Sequence, residues 1–204
     1  MDRNSLKGYF YSIVTVAILY SGLMVVQFRY LDRFNAYVLA SAFFIPSSVR
    51  LFGVLLLGYR TGLGIVLGSL MFAFGVNNLG QTLEQSLIVS LQAGMSCSAS
   101  LLIFALVSDK VSGLRSPAIA FGEINAYDVL LLCVIQSALN SGLASLVYLL
   151  VPGHSEPVTL LQSATMFMGD LTGAFLVFVL LNILTSLALR TGLISERLLR
   201  DRIR

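Results

Sequence analysis

The sequence predicts an all-α polytopic membrane protein, a single domain over 1–204 built as a bundle of about six transmembrane helices. Three observations predict it. Of the 204 residues, 57% are hydrophobic and only 11% charged, where soluble domains carry about 25% charged residues. The mean hydropathy is +0.88. Apolar runs of about 20 residues, the length of one helical crossing, recur along the chain with short connections. A soluble fold of this size could not cover its surface with so few charges, whereas lipid tails solvate apolar side chains. A soluble enzyme is therefore excluded, and the lipid bilayer is the first partner. The net charge of +3 is too small to imply a nucleic-acid partner.

The runs are 8–27, 37–58, 62–79, 85–107, 127–151 and 163–189. The first has no small-residue cleavage site and is long enough to span, so it reads as a retained helix rather than a signal peptide. The second contains Pro46, which removes a backbone donor and clashes with the preceding turn; this helix is expected to be broken there, with Ser47 and Ser48 satisfying freed backbone groups. The third carries Gly64 and Gly68, the fourth Ser86, Ser90, Gly94 and Ser98 at four-residue spacing, and the sixth Gly169 and Gly173. Lipid supplies no hydrophobic drive between helices, so small residues that permit close approach read as packing seams. The connection from Ser108 to Ala126 holds Pro117 and mixed charge, room for a short surface helix. The last twelve residues, LISERLLRDRIR, form a basic amphipathic tail (190–204 in all) that obeys the positive-inside rule or rests on anionic lipid.

Lys and Arg orient the bundle. With both termini cytoplasmic, the inner segments hold Arg3, Lys7, Arg60, Lys110, Arg115, Arg190, Arg197, Arg200, Arg202 and Arg204, and the outer loops only Arg29 and Arg33. Tyrosines near run ends (9, 11, 30, 37, 59, 127 and 148) suit interfacial anchors.

Arg50 and Asp170 lie inside apolar runs and have opposite signs. A charge at the bilayer centre costs about 2.5–3.5 kcal/mol on insertion scales, so the economical expectation is an ion pair between the second and sixth helices. Counting inward from the outer ends, Arg50 lies at about 20 Å and Asp170 at about 10 Å, at 1.5 Å per residue. The alternative is two separate charges, each hydrated by a cavity or snorkelling. Gln92, Gln136, Asn140 and Asn182 also fall within runs, with Asn77 and Asn78 at the end of the third. Gln136 and Asn140, four apart, share a helix face, and with Arg50 and Asp170 they could line one interior pocket. Cys97 and Cys133 fall in apolar runs, so no disulfide is expected. His154 is the single histidine, in VPGHSEP, too few for a metal site. No phosphate loop, nucleophile elbow or paired catalytic carboxylates occur, so no cofactor, metal or catalytic activity is expected.

Two stretches resemble the bacterial membrane-associated sensor domains of the MASE type. In FIPSSVRLFGVLLLGYRTGLGIVLGSL, Pro46, Ser47, Gly58, Arg60, Gly64 and Gly68 stand at places of the first signature; in MFMGDLTGAFLVFVLL, Gly169, Asp170 and Gly173 stand at those of the second. The family often has a tryptophan in each signature, two prolines and more helices; this chain has no tryptophan. No kinase or cyclase follows Arg204, so no signalling output is expected from the chain itself. The resemblance implies a sensor-like module of the bacterial cytoplasmic membrane that binds a small ligand or a partner membrane protein, or self-associates. The six-helix size is also similar to the substrate-binding subunit of energy-coupling-factor vitamin transporters. A structural accessory subunit of a larger membrane complex is the third alternative.

Overall fold

The computed structural model describes residues 3–31, 35–37, 40–41, 43–75, 82–108, 125–150 and 159–191. Its helices are α1 (Arg3–Tyr30), α2 (Ser47–Leu57), α3 (Arg60–Gly75), α4 (Leu83–Val107), α5 (Ala126–Leu150) and α6 (Leu160–Arg190). Between α1 and α2 lies one short antiparallel pair, β1 (Asn35–Tyr37) and β2 (Ala40–Ser41). The protein is a membrane helix bundle: α1, α4, α5 and α6 are each long and apolar enough to cross a bilayer. The expected surface helix within 109–124, His154, Asn77, Asn78 and the tail from 192 lie outside the described residues.

Contacts set the direction of each helix. Gly64 of α3 meets Val16 of α1, and Gly68 meets Tyr20, so both numbers rise together and the two helices run parallel. Gly62 of α3 meets Ser98 of α4, and Gly94 meets Val66, so this pair is antiparallel. Asn140 of α5 pairs with Gln92 of α4 while Gln136 meets Cys97, and Asn140 pairs with Asp170 of α6 while Ser145 meets Ser163, so α5 is antiparallel to both. Arg50 pairs with Asp170, and the Phe52 ring stacks on Phe178, so α2 runs with α6. The chain thus alternates up, down, up, down, up, down. "Upper" below means the end where α1, α3 and α5 finish and α4 and α6 begin.

The glycine seams explain the closest approaches. A Cβ at Gly64 would lie 2.6 Å from Val16 atoms, and one at Gly68 would lie 2.6 Å from the Ala17 carbonyl oxygen. A Cβ at Gly94 would lie 2.6 Å from the Gly62 carbonyl oxygen. Gly62 was not singled out in sequence, yet it faces Gly94 and Ser98 across the α3–α4 contact. The core beneath is apolar, with Leu51, Val54, Ile65, Cys97, Leu101, Phe104 and Leu132 all buried. Cys97 and Cys133 are free thiols.

The second run departs from the expected 37–58 helix. It is helical only from Ser47, immediately after Pro46, and spans about 16 Å at 1.5 Å per residue, half a hydrocarbon core of about 30 Å. Its end is set by Gly58, whose φ of 63° lies in the region that favours glycine, and whose N–H donates to the Val54 carbonyl at 3.0 Å. α2 is sheathed by the longer helices, with Arg50, Leu51, Gly53, Val54 and Leu55 all buried.

Candidate functional site

A non-helical backbone at membrane depth needs its polar groups satisfied by protein, and the stretch before α2 meets that need. Its first partner is α6. The Phe44 N–H donates to the Gly169 carbonyl at 2.9 Å. A Cβ at Gly173 would lie 3.0 Å from the Ile45 nitrogen and nearer still to the Phe44 carbonyl. Glycine at 173 lets the stretch lie directly on α6. Its second partner is Gln27 of α1, which is 1% exposed. The Gln27 Nε2 donates to the Phe43 carbonyl at 2.9 Å and the Ser41 hydroxyl at 3.2 Å, while its Oε1 accepts from the Ile45 N–H at 3.1 Å.

Pro46 then starts α2 without an orphan donor, since it has no N–H. The N–H groups of Ser47, Ser48 and Val49 donate to the carbonyls of Phe44, Ile45 and Pro46. The Ser48 hydroxyl donates to the Ile45 carbonyl at 2.7 Å. The Ser47 hydroxyl lies 2.7 Å from both the Phe44 and the Asp170 carbonyl oxygens, so its one proton serves either. This seats the first turn of α2 beside Asp170.

One turn in, Arg50 Nη2 donates to Asp170 Oδ1 at 2.5 Å, and both side chains are buried. Asp170 Oδ2 accepts from Asn140 Nδ2 at 2.7 Å. Asn140 Oδ1 accepts in turn from Gln92 Nε2 at 3.1 Å and from Ser96 Oγ at 3.3 Å. One chain of polar contacts therefore joins α2, α6, α5 and α4. Asp170 and Asn140 each sit about ten residues from the upper ends of their helices, or about 15 Å, near the middle of a bilayer core. The Arg50 guanidinium also lies over the Phe44 ring, 5.6 Å from its centroid. Arg50 Nε is buried without a hydrogen-bond partner among the described residues, a cost of about 1–3 kcal/mol that the ring face partly offsets.

Above this polar floor lies a cavity of about 360 Å³ in the upper half of the bundle. Its walls are the upper halves of α1 (Tyr20, Met24, Gln27, Phe28), α3 (Ser69, Phe72), α4 (Ser86, Val89, Ser90, Gln92) and α5 (Asn140, Ala144, Tyr148), with Phe44 and Arg50 below.

The structure thus brings Arg50, Asp170, Ser47 and Asn140 into one contact network, with Ser48 in the adjacent turn. Three expectations are corrected. Gln136 does not line the pocket; its Nε2 lies 3.8 Å from the Cys97 Sγ, which itself lies 3.8 Å from the Arg50 carbonyl, beneath the floor. Ser90 is not a seam but a cavity wall, so the small stripe of α4 divides: Gly94 and Ser98 pack on α3, while Ser86 and Ser90 face the cavity. Gly173 admits the backbone before α2 rather than a neighbouring helix, and the Gly169 carbonyl accepts from the Phe44 N–H of the same stretch. The sequence reading passed over Gln27, Phe44 and Tyr20. Gln27 ends its apolar run, where a glutamine looks interfacial, and only the placement of Ser41, Phe43 and Ile45 gives its amide partners.

Compared with family models, curated proteins and solved structures, the chain matches none.

Proposed function

We propose that this chain is a sensor-like integral membrane module, similar to the MASE type, that takes a small ligand in the upper cavity and has no catalytic output of its own. The observation that carries the reading is the cavity itself, with Arg50, ion-paired to Asp170 at bilayer mid-depth, at its floor. A bundle that needed only to hold together could replace such a pair with apolar side chains at little or no loss. Charged groups inside a membrane bundle are by default marks of a site, and a cavity of this size is within the range of small-molecule pockets. The α2 half-helix adds to this, because broken helices at mid-membrane build ligand sites in other membrane proteins.

In the proposed topology the chain crosses the bacterial cytoplasmic membrane six times. α2 and the stretch before it together make one crossing, and both termini are cytoplasmic. The Lys/Arg distribution supports that orientation, and the strict alternation of helix directions fits it. The cavity then faces the outer side. The test is purification in mild detergent followed by mass spectrometry of retained small molecules, comparing the wild type with Ala144→Phe, which fills the cavity. The reading expects a retained molecule in the wild type and its loss in the filled variant. Identical profiles from two folded proteins would contradict it.

A further inference from the structure

We infer that the cavity's ligand is a small, net-neutral molecule that carries hydroxyl or carbonyl oxygens on an apolar ring. This rests on the ligand-binding reading above and adds the chemical class.

Charge comes first. Among the described residues that line the cavity, Arg50 is the one Lys, Arg, Asp or Glu, and Asp170 already meets it at 2.5 Å. The floor is neutral as a pair. An ionic ligand would bring an unmatched charge to membrane depth, which is the unfavourable case. A neutral ligand brings none.

The oxygens follow from the walls. Tyr20, Ser69, Ser86 and Ser90 are 3%, 8%, 3% and 1% exposed, and all four line the cavity. No hydrogen bond from any described residue reaches their hydroxyls, although the neighbouring Ser96 and Ser100 hydroxyls are bonded to backbone carbonyls of their own helix. Each of these hydroxyls borders the open space of the cavity and can donate one bond to, and accept others from, whatever fills it. Four such groups, drawn from α1, α3 and α4, converge on one space. A partner with several oxygens satisfies them; a hydrocarbon does not.

The ring follows from the apolar wall. Phe28 and Phe72 lie together with centroids 5.2 Å apart, and both face the cavity, with Met24 beside them. Flat aromatic surface of this kind packs best against another ring.

The experiment uses three probes that share a phenol and differ in charge: 4-hydroxybenzyl alcohol (neutral), 4-hydroxybenzoate (anion) and tyramine (cation). The readout is the melting temperature of the full-length protein in mild detergent at pH 7. The neutral probe should raise it with the logarithm of its concentration above Kd, by about 3–5 °C at ten times its Kd, and the two ions should not. Ser86→Ala with Ser90→Ala should weaken the neutral probe at least about tenfold, the loss of two hydrogen bonds, while the unliganded melting temperature stays close to wild type. A stronger shift from either ion would overturn the inference and leave the ligand-binding reading intact. No shift from any probe would overturn it as well, and the retained-molecule profile then decides whether the cavity reading falls with it. Undiminished binding to the serine double variant would also overturn it.

Discussion

Asp170→Asn probes the polar floor most sharply. In the folded protein the Asp170 carboxylate accepts from Arg50 at 2.5 Å and from Asn140 at 2.7 Å, and both charges are buried. Removing one partner of a buried ion pair costs about 3–5 kcal/mol, because the other charge is left unmatched. An amide at 170 also has one donor group where both neighbours donate, so one contact becomes a donor facing a donor. Arg50→Gln strands the carboxylate but keeps the Asn140 bond, and should fall at the lower end of the same range. The double variant strands neither charge. It should therefore be more stable than the sum of the singles predicts, with a coupling energy on the order of 2 kcal/mol. Equilibrium unfolding of all four proteins by denaturing detergent, in one mixed-micelle system, measures the cycle. Additivity within about 0.5 kcal/mol would refute the claim that the two groups act as a pair.

Gly94→Ala should destabilise by about 1–3 kcal/mol, since its Cβ would lie 2.6 Å from the Gly62 carbonyl oxygen. Gly142→Ala, where a Cβ meets nothing within 4 Å, should be neutral or stabilise by up to about 1 kcal/mol; equal melting losses at both sites would contradict the α3–α4 seam. Gln27→Leu keeps the size but leaves the Ile45 N–H unpaired, while the Phe43 carbonyl still accepts from the Ser41 hydroxyl at 2.7 Å, and should cost about 1–3 kcal/mol from the one unmet group; a melting temperature at the wild-type value would remove Gln27 from the account. For orientation, Glu84→Cys and Ala126→Cys stand at exposed starts of α4 and α5, at opposite ends of the bundle. With the native cysteines replaced, an impermeant thiol reagent on intact cells should label the first and spare the second, and the reverse pattern would invert the proposed topology.

Much of this architecture was legible because membrane segments obey simple constraints. Long apolar runs located α1, α3, α4, α5 and α6 to within a few residues at most ends. The cost of intramembrane charge pointed from Arg50 to Asp170. The depth of Arg50 was not legible, and the reason is geometric. Counting 37–58 as one continuous helix put Arg50 about 20 Å from the outer end, whereas the helix begins only at Ser47 and Arg50 sits one turn inside it. Pro46 marked the break but not what replaces the helix above it. That depends on Gln27 of α1 and on Gly169 and Gly173 of α6, two sites far apart in sequence that together receive one stretch of backbone. Ser90 and Gly94 show the same limit: both are small and four apart, and only the position of α3 tells a wall from a seam. Gln136 and Asn140 share a face, yet one turn of helix separates the floor from the layer beneath it.

The central claim is that a cavity open to small solutes ends at this polar floor, and thiol reactivity along α4 tests it directly. Ser90→Cys, with Cys133 replaced and Cys97 retained, places one thiol in the cavity wall and one below the floor, on the same helix and both almost wholly buried. In lipid nanodiscs, a small methanethiosulfonate should modify the cysteine at 90 rapidly and Cys97 only as fast as the protein unfolds, and prior reaction at 90 should block retention of the cavity's ligand. Equal protection of both thiols, or equal reactivity, would contradict the account.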